Sequence, residues 1–321
     1  MRQSLGGAST VKSVSTISVV VPAFNEAQNL PRLIERVQQV LSGAEDWELI
    51  VVDDGSTDDT LQVLRSLAFA TAEIRYLSLT RNFGHQTALR AGLDHASGDC
   101  VISLDADLQH PPELIPEMIR NWRAGNEVVN MIRTDAGVPL FKRLTSRFFY
   151  WLTNAISDYR IEPGSSDFRL LDRRVVDVLR TIGERSLFLR GLIPWLGFRQ
   201  VNVAFTPATR NAGSSKYNLM GMVRLAMLGL TSSSVRPLHI STLIGAIMSV
   251  LALLYAAYAL WARFFSGTVI TGWTSLLISV LLIGGIQLLM LGIIGEYVGR
   301  SLTEIKSRPL YVLREHNLPG S

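Results

Sequence analysis

This sequence has little cysteine and little net charge, and its first residues contain no apolar segment. Its 321 residues include one cysteine, Cys100, so no disulfide can form within the chain, which suits a reducing cytosolic compartment. The formal net charge of +4 is too small to argue for a nucleic-acid partner. Residues 1–15 are small and polar and contain no apolar core of a signal peptide, so we expect a disordered lead-in.

Two common nucleotide-binding patterns are also missing. No glycine-rich dinucleotide fingerprint follows the first predicted strand, Ile17–Pro22, and the sequence has no Walker A lysine. A nucleotide would therefore have to be held in another way, by carboxylates and backbone groups around its base and ribose.

Apolar, β-branched runs alternate with helical patterns through the first half of the chain. The runs predict strands at Ile17–Pro22, Leu49–Val52, Ile74–Leu79, Val101–Leu104 and Val128–Ile132. Apolar residues at helical spacing lie between them, as in the stripe from Leu30 to Leu41. This alternation predicts an α/β domain with a Rossmann-like, mostly parallel sheet and right-handed crossovers.

Polar side chains follow four of these strands. The clusters are Asn25 and Glu26, Asp53 and Asp54, Arg81 and Asn82, and Asp105 and Asp107. Ligands of open α/β sheets bind at the carboxyl ends of the strands, and residues two apart in an extended chain point to one side. Asp105 and Asp107 can therefore converge on a hard divalent cation that also carries substrate phosphates. The alternative is a solvated turn whose acids cap the next helix.

The composition changes in the last third of the chain. Residues 238–262 and 273–295 are almost wholly apolar, and each run has about the 20 residues that a transmembrane helix needs. A buried helical hairpin is the alternative. Lysine and arginine residues flank the two runs, whereas the short link between them holds only Arg263. By the positive-inside rule we expect the sheet domain, both termini and the 296–321 tail to be cytoplasmic.

Two further segments have amphipathic patterns. Residues 140–159 combine bulky aromatic side chains with lysine and arginine, and residues 214–237 precede the first apolar run. The first segment is either a core helix with solvated charges or a helix at the membrane surface, and the second is expected beside the membrane.

A cytosolic domain with acidic strand ends and basic residues near a membrane suits group transfer between a soluble and a lipid-anchored substrate. A metal held by Asp105 and Asp107 would neutralise a diphosphate leaving group. Arginine suits bidentate phosphate contacts, although any one basic residue is more often a solvated surface charge. A lipid phosphate is already anionic near pH 7, so positioning and charge neutralisation could supply most of the rate.

Six motifs in the chain resemble one enzyme family. They are VVVPAFNE at 19–26, VDDGSTD at 52–58, RNFG at 81–84, DADLQHPP at 105–112, DFR at 167–169 and GSSKY at 213–217. Together they resemble family 2 glycosyltransferases of the polyprenyl-phosphate subgroup. That subgroup includes dolichyl-phosphate mannose synthase-like enzymes and bacterial undecaprenyl-phosphate glucosyl- and aminoarabinose-transferases with two C-terminal spans. The tail motifs GIIGEYVGR at 292–300 and RPLY at 308–311 look like the same subgroup.

The resemblance implies a fold and a reaction. Residues 16–213 would form a GT-A catalytic domain that uses Mg²⁺ or Mn²⁺ and inverts the anomeric carbon. The enzyme would transfer a sugar from a UDP-sugar such as UDP-glucose to undecaprenyl phosphate at the cytoplasmic face of the bacterial inner membrane, for cell-envelope glycan modification. GDP-mannose as the donor and a catalytically degenerate membrane scaffold are the alternatives. Self-association is expected through the small-residue faces at Gly284, Gly285, Gly292 and Gly295.

The resemblance also implies site residues by position. The nucleotide pocket would be lined by Pro22, Phe24, Glu26, Asp53, Asp54 and Ala106. The metal and diphosphate would lie at Asp105, Asp107 and Gln109. Asp167 would act in catalysis with Asp105 and Asp107, as a base or a positioning residue; its alternative is a salt bridge to Arg169 or Arg173. The acceptor phosphate would meet Arg133, Lys142, Ser146 and Arg169, and a donor loop would contain Arg210 and Lys216.

The motifs depart from the family pattern at two positions. Phe24 stands where the family often has tyrosine, so a hydroxyl contact is absent. Ser166 precedes Asp167 where relatives often have glycine. Both departures leave the donor preference open.

Overall fold

The chain divides into two compact units in the computed structural model. The first unit comprises residues 1–151, 159–218 and 308–321, and the second comprises residues 152–158 and 219–307. The structure describes residues 16–43, 46–134, 164–185, 188–206, 236–261 and 272–318. The predicted lead-in, the amphipathic segment 140–159, most of the segment 214–237 and most of the link between the apolar runs lie outside the described residues.

An eight-stranded sheet forms the centre of the first unit. Its strands are β1 (Ile17–Ala23), β2 (Trp47–Asp53), β3 (Ile74–Leu79), β4 (Cys100–Ser103), β5 (Val128–Arg133), β6 (Ser165–Asp172), β7 (Gln200–Phe205) and β8 (Leu313–His316). They lie in the order β7-β5-β6-β4-β1-β2-β3-β8. The strands from β4 to β3 pair in parallel, as do β5 and β7, whereas β6 and β8 are antiparallel to their neighbours. The predicted mostly parallel α/β sheet is confirmed.

Helices cover both faces of this sheet. They are α1 (Leu30–Leu41), α2 (Thr60–Ala70), α3 (His85–His95), α4 (Ile115–Arg123), α5 (Arg173–Thr181) and α6 (Leu189–Trp195). Alternate residues of β1 point to opposite faces, so Val19 packs in the core with α1 and α4, and Val20 packs in the core with α3, α5 and α6. The predicted apolar stripe of α1 is buried throughout, and each such side chain contributes about 1.5–3 kcal/mol.

Three strands lie where the sequence patterns indicate none. Strand β6 carries buried charges, β7 alternates polar and apolar residues at one edge, and β8 is short and polar. The C-terminal tail is therefore part of the sheet. Strand β8 pairs with β3, and Arg65 donates two hydrogen bonds to Glu315, at 2.8 and 2.5 Å.

The second unit contains two long helices among its described residues. They are α7 (Arg236–Trp261) and α8 (Trp273–Ile305), and α8 continues beyond the predicted boundary at residue 295. By length and composition, Leu282–Ile305 could cross a membrane, whereas Gly245–Tyr255 in α7 is a shorter apolar stretch. One candidate among the described residues does not confirm the two predicted spans, so both spans, at 238–262 and 273–295, stay predictions.

Candidate active site

The loop after β4 carries two acidic residues and is held by its own hydrogen bonds. The Asp105 amide donates to His110 Nδ1 at 3.0 Å, and the Gln109 amide donates to Asp107 Oδ1 at 3.1 Å. Leu108 turns the chain at φ +62°, which is uncommon for a residue with a side chain. His110 is buried and stacks on Phe168 with ring centroids 5.0 Å apart. These contacts hold the loop at the carboxyl end of β4.

Asp105 presents a carboxylate oxygen that a cation could satisfy. Its Oδ1 is buried, lies 3.4 Å from His85 Nε2 and accepts no hydrogen bond from the described residues. Such an oxygen is costly to leave without a partner. Within the described ranges, no three His, Cys, Asp or Glu side chains cluster as a metal site. The unsatisfied oxygen of Asp105 and the carboxylate of Asp107 are hard oxygen donors, which fit Mg²⁺ or Mn²⁺.

Gln109 has a protein partner for the oxygen that was predicted to bind metal. Its Oε1 accepts a hydrogen bond from Arg133 Nη2 at 2.5 Å. Arg133 ends β5, so this contact joins the carboxyl ends of β4 and β5. The structure thus brings a residue predicted at the acceptor phosphate to the loop predicted to hold the metal.

Asp167 lies near the start of β6 and is surrounded by donors from three elements. Arg190 of α6 donates to both carboxylate oxygens, with Nε 3.2 Å from Oδ1 and Nη2 2.8 Å from Oδ2. Gln86 of α3 donates its side-chain amide to Oδ2 at 2.9 Å, and His85 Nε2 lies 3.4 Å from the same oxygen. Arg169 Nη2 lies 3.4 Å from Oδ1. The carboxylate is 1% exposed and ionically paired on both oxygens.

The surroundings of Asp167 keep it ionised. Burial alone would raise the pKa of this carboxyl, but Arg190, His85 and Arg169 together hold it well below its usual range. A carboxylate with a depressed pKa and occupied oxygens is a weak proton acceptor. Of the two alternative salt-bridge partners, Arg169 contacts Asp167, whereas Arg173 donates its Nε to the Gly98 carbonyl at 2.8 Å.

His85 lies between Asp105 in the loop after β4 and Asp167 in β6. It begins α3, and its Nε2 lies 3.4 Å from both Asp105 Oδ1 and Asp167 Oδ2. Burial disfavours the imidazolium, but these two carboxylates outweigh that cost and raise the pKa of His85. The imidazole therefore couples the loop after β4 to the start of β6.

The predicted nucleotide residues gather at the carboxyl ends of β1, β2 and β4. Pro22 pairs with β2, Asp53 and Asp54 lie at its end, and Ala106 follows Asp105. Asp53 accepts a hydrogen bond from the Ser78 hydroxyl at 2.9 Å. Phe24 and Glu26 belong to the loop after β1, where the Glu26 amide donates to the Thr60 hydroxyl at 2.9 Å. Parallel pairing of distant strands is what brings these residues to one edge.

Asp54 joins that edge to the RNFG loop. Its two oxygens accept hydrogen bonds from the amides of Phe83 and Gly84, at 2.7 and 2.9 Å. Burial raises the pKa of Asp54 even though the two amides oppose the shift. Gly55 next to it has φ +67°, and an added Cβ would lie 2.3 Å from the Arg81 carbonyl carbon. Only glycine fits this contact without movement of the RNFG loop.

Several predicted site residues cannot be placed, and others were missed. Lys142, Ser146, Arg210 and Lys216 lie outside the described residues. The sequence reasoning assigned no role to His85, Gln86 or Arg190, which contact Asp167. A signal for Arg190 was available, because it is the one charged residue in the apolar run 187–198, and a charge in such a run is usually paired when buried.

Two family models match the chain. One is described as glycosyl transferase family 2 and matches residues 18–180, and the other is described as a GtrB C-terminal hairpin and matches residues 236–301. The chain belongs to glycosyl transferase family 2, and the sheet described above is its GT-A-like domain. The enzyme class predicted from the motifs is thereby confirmed.

Relatives match over nearly the whole chain. A bactoprenol glucosyl transferase of Shigella phage SfV is 42% identical over 301 residues, which cover 93% of this chain and 98% of the relative. The uncharacterized glycosyltransferase YkcC of Bacillus subtilis strain 168 is 41% identical over 300 residues, 93% of each chain. Among solved structures, glucosyl-3-phosphoglycerate synthase from Mycobacterium tuberculosis with Mn²⁺, UDP-glucose and phosphoglyceric acid has a TM-score of 0.45 at 24% identity, covering 68% of this chain and 79% of that one. The predicted resemblance to polyprenyl-phosphate glycosyltransferases is confirmed by the bactoprenol glucosyl transferase relative and the hairpin model.

Proposed function

We propose that this protein transfers a sugar, with inversion, from a UDP-sugar such as UDP-glucose to undecaprenyl phosphate. The observation that carries the proposal is the match to a bactoprenol glucosyl transferase over 93% of the chain, together with the C-terminal hairpin. The geometry supports it, because Asp105, whose Oδ1 accepts no hydrogen bond from the described residues, lies near the buried, ion-paired Asp167 at one sheet edge.

The nucleotide and the metal are assigned to the carboxyl ends of β1, β2 and β4. Asp105 and Asp107 would hold Mg²⁺ or Mn²⁺, which would neutralise the diphosphate leaving group. Gln109 is the third predicted ligand. The pocket for base and ribose is assigned to Pro22, Phe24, Glu26, Asp53, Asp54 and Ala106.

Asp167 is assigned a positioning role rather than that of a base. Its depressed pKa and its bidentate pair with Arg190 favour orientation of neighbouring groups over proton transfer. A phosphate acceptor needs no strong base, since it is already anionic near pH 7. Arg133, Lys142, Ser146 and Arg169 are the proposed acceptor residues, and Arg210 and Lys216 the proposed donor loop.

We place the protein in the bacterial inner membrane with two spans and a cytoplasmic catalytic domain. Basic residues lie in the last turns of α8 and in the segment that follows it: Arg300, Lys306, Arg308 and Arg314. Self-association through α8 is part of the proposal, because a Cβ added at Gly284 or Gly292 would meet no described atom within 4 Å.

The test is transfer of radiolabelled sugar to undecaprenyl phosphate by detergent-purified protein, with a panel of UDP- and GDP-sugars and with Mg²⁺ or Mn²⁺. We expect one UDP-sugar to label the lipid. Asp107→Asn should lower the rate by about 10²–10³, as loss of one charge-stabilising group typically does. Asp59→Asn is the matched control, because Asp59 is exposed and caps no helix with its side chain. Labelling only from GDP-mannose would replace the donor, and no labelled lipid from any donor would refute the acceptor.

A further inference from the structure

His110 closes the loop after β4 on itself. Its Nδ1 accepts a hydrogen bond from the backbone amide of Asp105 at 3.0 Å, five residues earlier in the chain. The side chain is 1% exposed, and its ring stacks on Phe168 with the centroids 5.0 Å apart and 14° between the ring planes. Phe205 meets the same ring edge-on, with the centroids 5.9 Å apart. These contacts hold the imidazole in one orientation, with Nδ1 towards the Asp105 amide.

The hydrogen bond from Asp105 fixes the tautomer of His110. Because Nδ1 accepts from an amide, it carries no proton, and the ring proton lies on Nε2. Nε2 is buried and has no hydrogen-bond partner among the described residues. A buried N–H group without a partner is costly, so a phenyl ring would pack beside Phe168 more favourably than this imidazole does. Packing alone therefore does not account for a histidine at this position, whereas the acceptor at Nδ1 does.

The loop needs support because part of its backbone is in an uncommon conformation. Leu108 has φ +62°, and a residue with a side chain keeps such a conformation only where its surroundings fix it. The Gln109 amide donates to Asp107 Oδ1 at 3.1 Å, which uses a carboxylate oxygen of the predicted metal site. The contact with His110 uses only the backbone of Asp105. It can therefore fix Asp105 without occupying the carboxylate.

We propose that His110 is a positioning residue, which holds the Asp105 carboxylate where a divalent cation can bind it. The inference rests on the proposed function, in which Asp105 and Asp107 hold that cation. Metal sites typically lose affinity by about 10–100-fold when a group that orients a ligand is removed. His110 itself is no ligand in this arrangement, because Nδ1 accepts the Asp105 amide and Nε2 carries the proton.

Two substitutions separate the acceptor of His110 from its ring. His110→Phe keeps a flat ring to stack on Phe168 but removes the acceptor. His110→Asn removes the ring but keeps an acceptor, because the asparagine carbonyl oxygen is as many bonds from Cα as Nδ1 of histidine is. The readout is Mn²⁺ binding to the full-length, detergent-purified protein with UDP present, measured by electron paramagnetic resonance. We expect His110→Phe to raise the Kd for Mn²⁺ by about 10–100-fold and His110→Asn to raise it much less.

Chemical unfolding of the two variants should rank them in the opposite order. Asparagine leaves a space beside Phe168, so His110→Asn should be the less stable variant. A residue that serves packing alone would give the less stable variant the weaker Mn²⁺ binding, and that ranking would overturn the proposal. His95→Phe is the matched control, because it makes the same replacement at the end of α3, where Nδ1 of His95 lies 2.8 Å from the Ala91 carbonyl oxygen. It should leave Mn²⁺ binding unchanged.

Amide hydrogen exchange over residues 104–112, measured without metal, tests the support of the loop directly. Faster exchange in His110→Phe than in His110→Asn supports the positioning role, and equal rates overturn it. Equally tight Mn²⁺ binding by the wild type and His110→Phe would refute the inference alone. If the wild type bound no Mn²⁺ with or without UDP, the cation site of the proposed function would be refuted, and the inference with it.

Discussion

Asp105 and Asp167 are two carboxylates at one edge of the sheet, yet the protein treats them in opposite ways. Both lie 3.4 Å from Nε2 of His85. The Asp167 side chain is 1% exposed and bound on both oxygens by Arg190, whereas the Asp105 side chain is 30% exposed and keeps one oxygen without a hydrogen bond from the described residues. The protein's own side chains satisfy both oxygens of Asp167, whereas under the proposed function a bound cation would satisfy the remaining oxygen of Asp105.

Residue type alone therefore does not assign a role at this site. When their environments give two carboxylates different pKa values, the two groups can serve different functions. Asp167 has a fixed geometry and a depressed pKa, which suit orientation. Asp105 has an unmet acceptor, which suits a cation brought with the substrate. Experiments can test both assignments.

The largest expected effect on stability is the loss of charge at Asp167. Asp167→Asn keeps the shape but removes the carboxylate that Arg169 and Arg190 share, which should lower the free energy of unfolding by about 2–3 kcal/mol, since Arg190 is partly exposed. Adding Arg190→Met should recover about 1 kcal/mol or more, because it removes one of the two cations that faced that carboxylate. Chemical unfolding of the purified variants measures both values. Additive losses in the double variant would show that the pair is not coupled.

The pH dependence of the same pair sharpens this prediction. Because the folded-state pKa of Asp167 is depressed, its ionised form stabilises the fold fully above the unfolded-state value of about 3.9. That contribution is lost as the pH falls through the folded-state pKa. The difference in free energy of unfolding between wild type and Asp167→Asn should therefore shrink as the pH falls below about 4. It should also shrink as the pH rises through the raised pKa of His85, because burial disfavours that imidazolium and Asp167 helps to stabilise it. A difference that stays constant below about pH 4 would contradict the ion pair.

Asp54 is a second buried carboxylate, and its hydrogen-bond donors are backbone amides rather than charged side chains. Comparing it with Asp167 therefore separates the effect of burial on stability from the effect of ion pairing. Asp54→Asn leaves one of two backbone amides without an acceptor, which should cost about 1–2 kcal/mol. Its pKa is raised by burial, so its protonated form stabilises the fold below about pH 3.9 and that contribution fades as the pH rises through the folded-state pKa. The difference in free energy of unfolding between wild type and this variant should narrow as the pH rises through the acidic range. Over the same range the difference for Asp167→Asn should widen. Unfolding curves at several pH values decide between the two directions.

The parts of the fold that local pattern encodes were predicted, and those that distant contacts create were not. The apolar stripe of α1 and the acidic residues at the strand ends were predicted from the spacing of residues in the sequence. Parallel pairing of β1, β2 and β4 brings those acidic residues together. The partners of Asp167 come from residues 81 and 23 positions away, Gln86 and Arg190, and no local period marks them. Strand β8 pairs with a strand more than 230 residues earlier, so its short polar sequence carries no sign of it.

The smallest expected effect concerns the far end of α3, the helix that starts with His85. The Tyr311 hydroxyl donates to Asp94 Oδ2 at 3.2 Å, while Arg90 donates to Oδ1 at 2.7 Å. Tyr311→Phe removes one hydrogen bond and should cost about 0.5–1.5 kcal/mol. Because Arg90 still holds Asp94 and α3 stays buried against β1, we expect sugar transfer to change little.

Tyr76→Phe is the matched control for Tyr311→Phe, since the Tyr76 hydroxyl contacts Glu315 in the same tail, at 3.2 Å, but not α3. Equal, small losses of stability with unchanged transfer would show that the tail only supports the sheet. A fall in transfer that is specific to Tyr311→Phe would show that the tail sets the position of His85 between Asp105 and Asp167. In that case the contrast between the two carboxylates would depend on a residue more than 140 positions from either of them, through the helix that touches both.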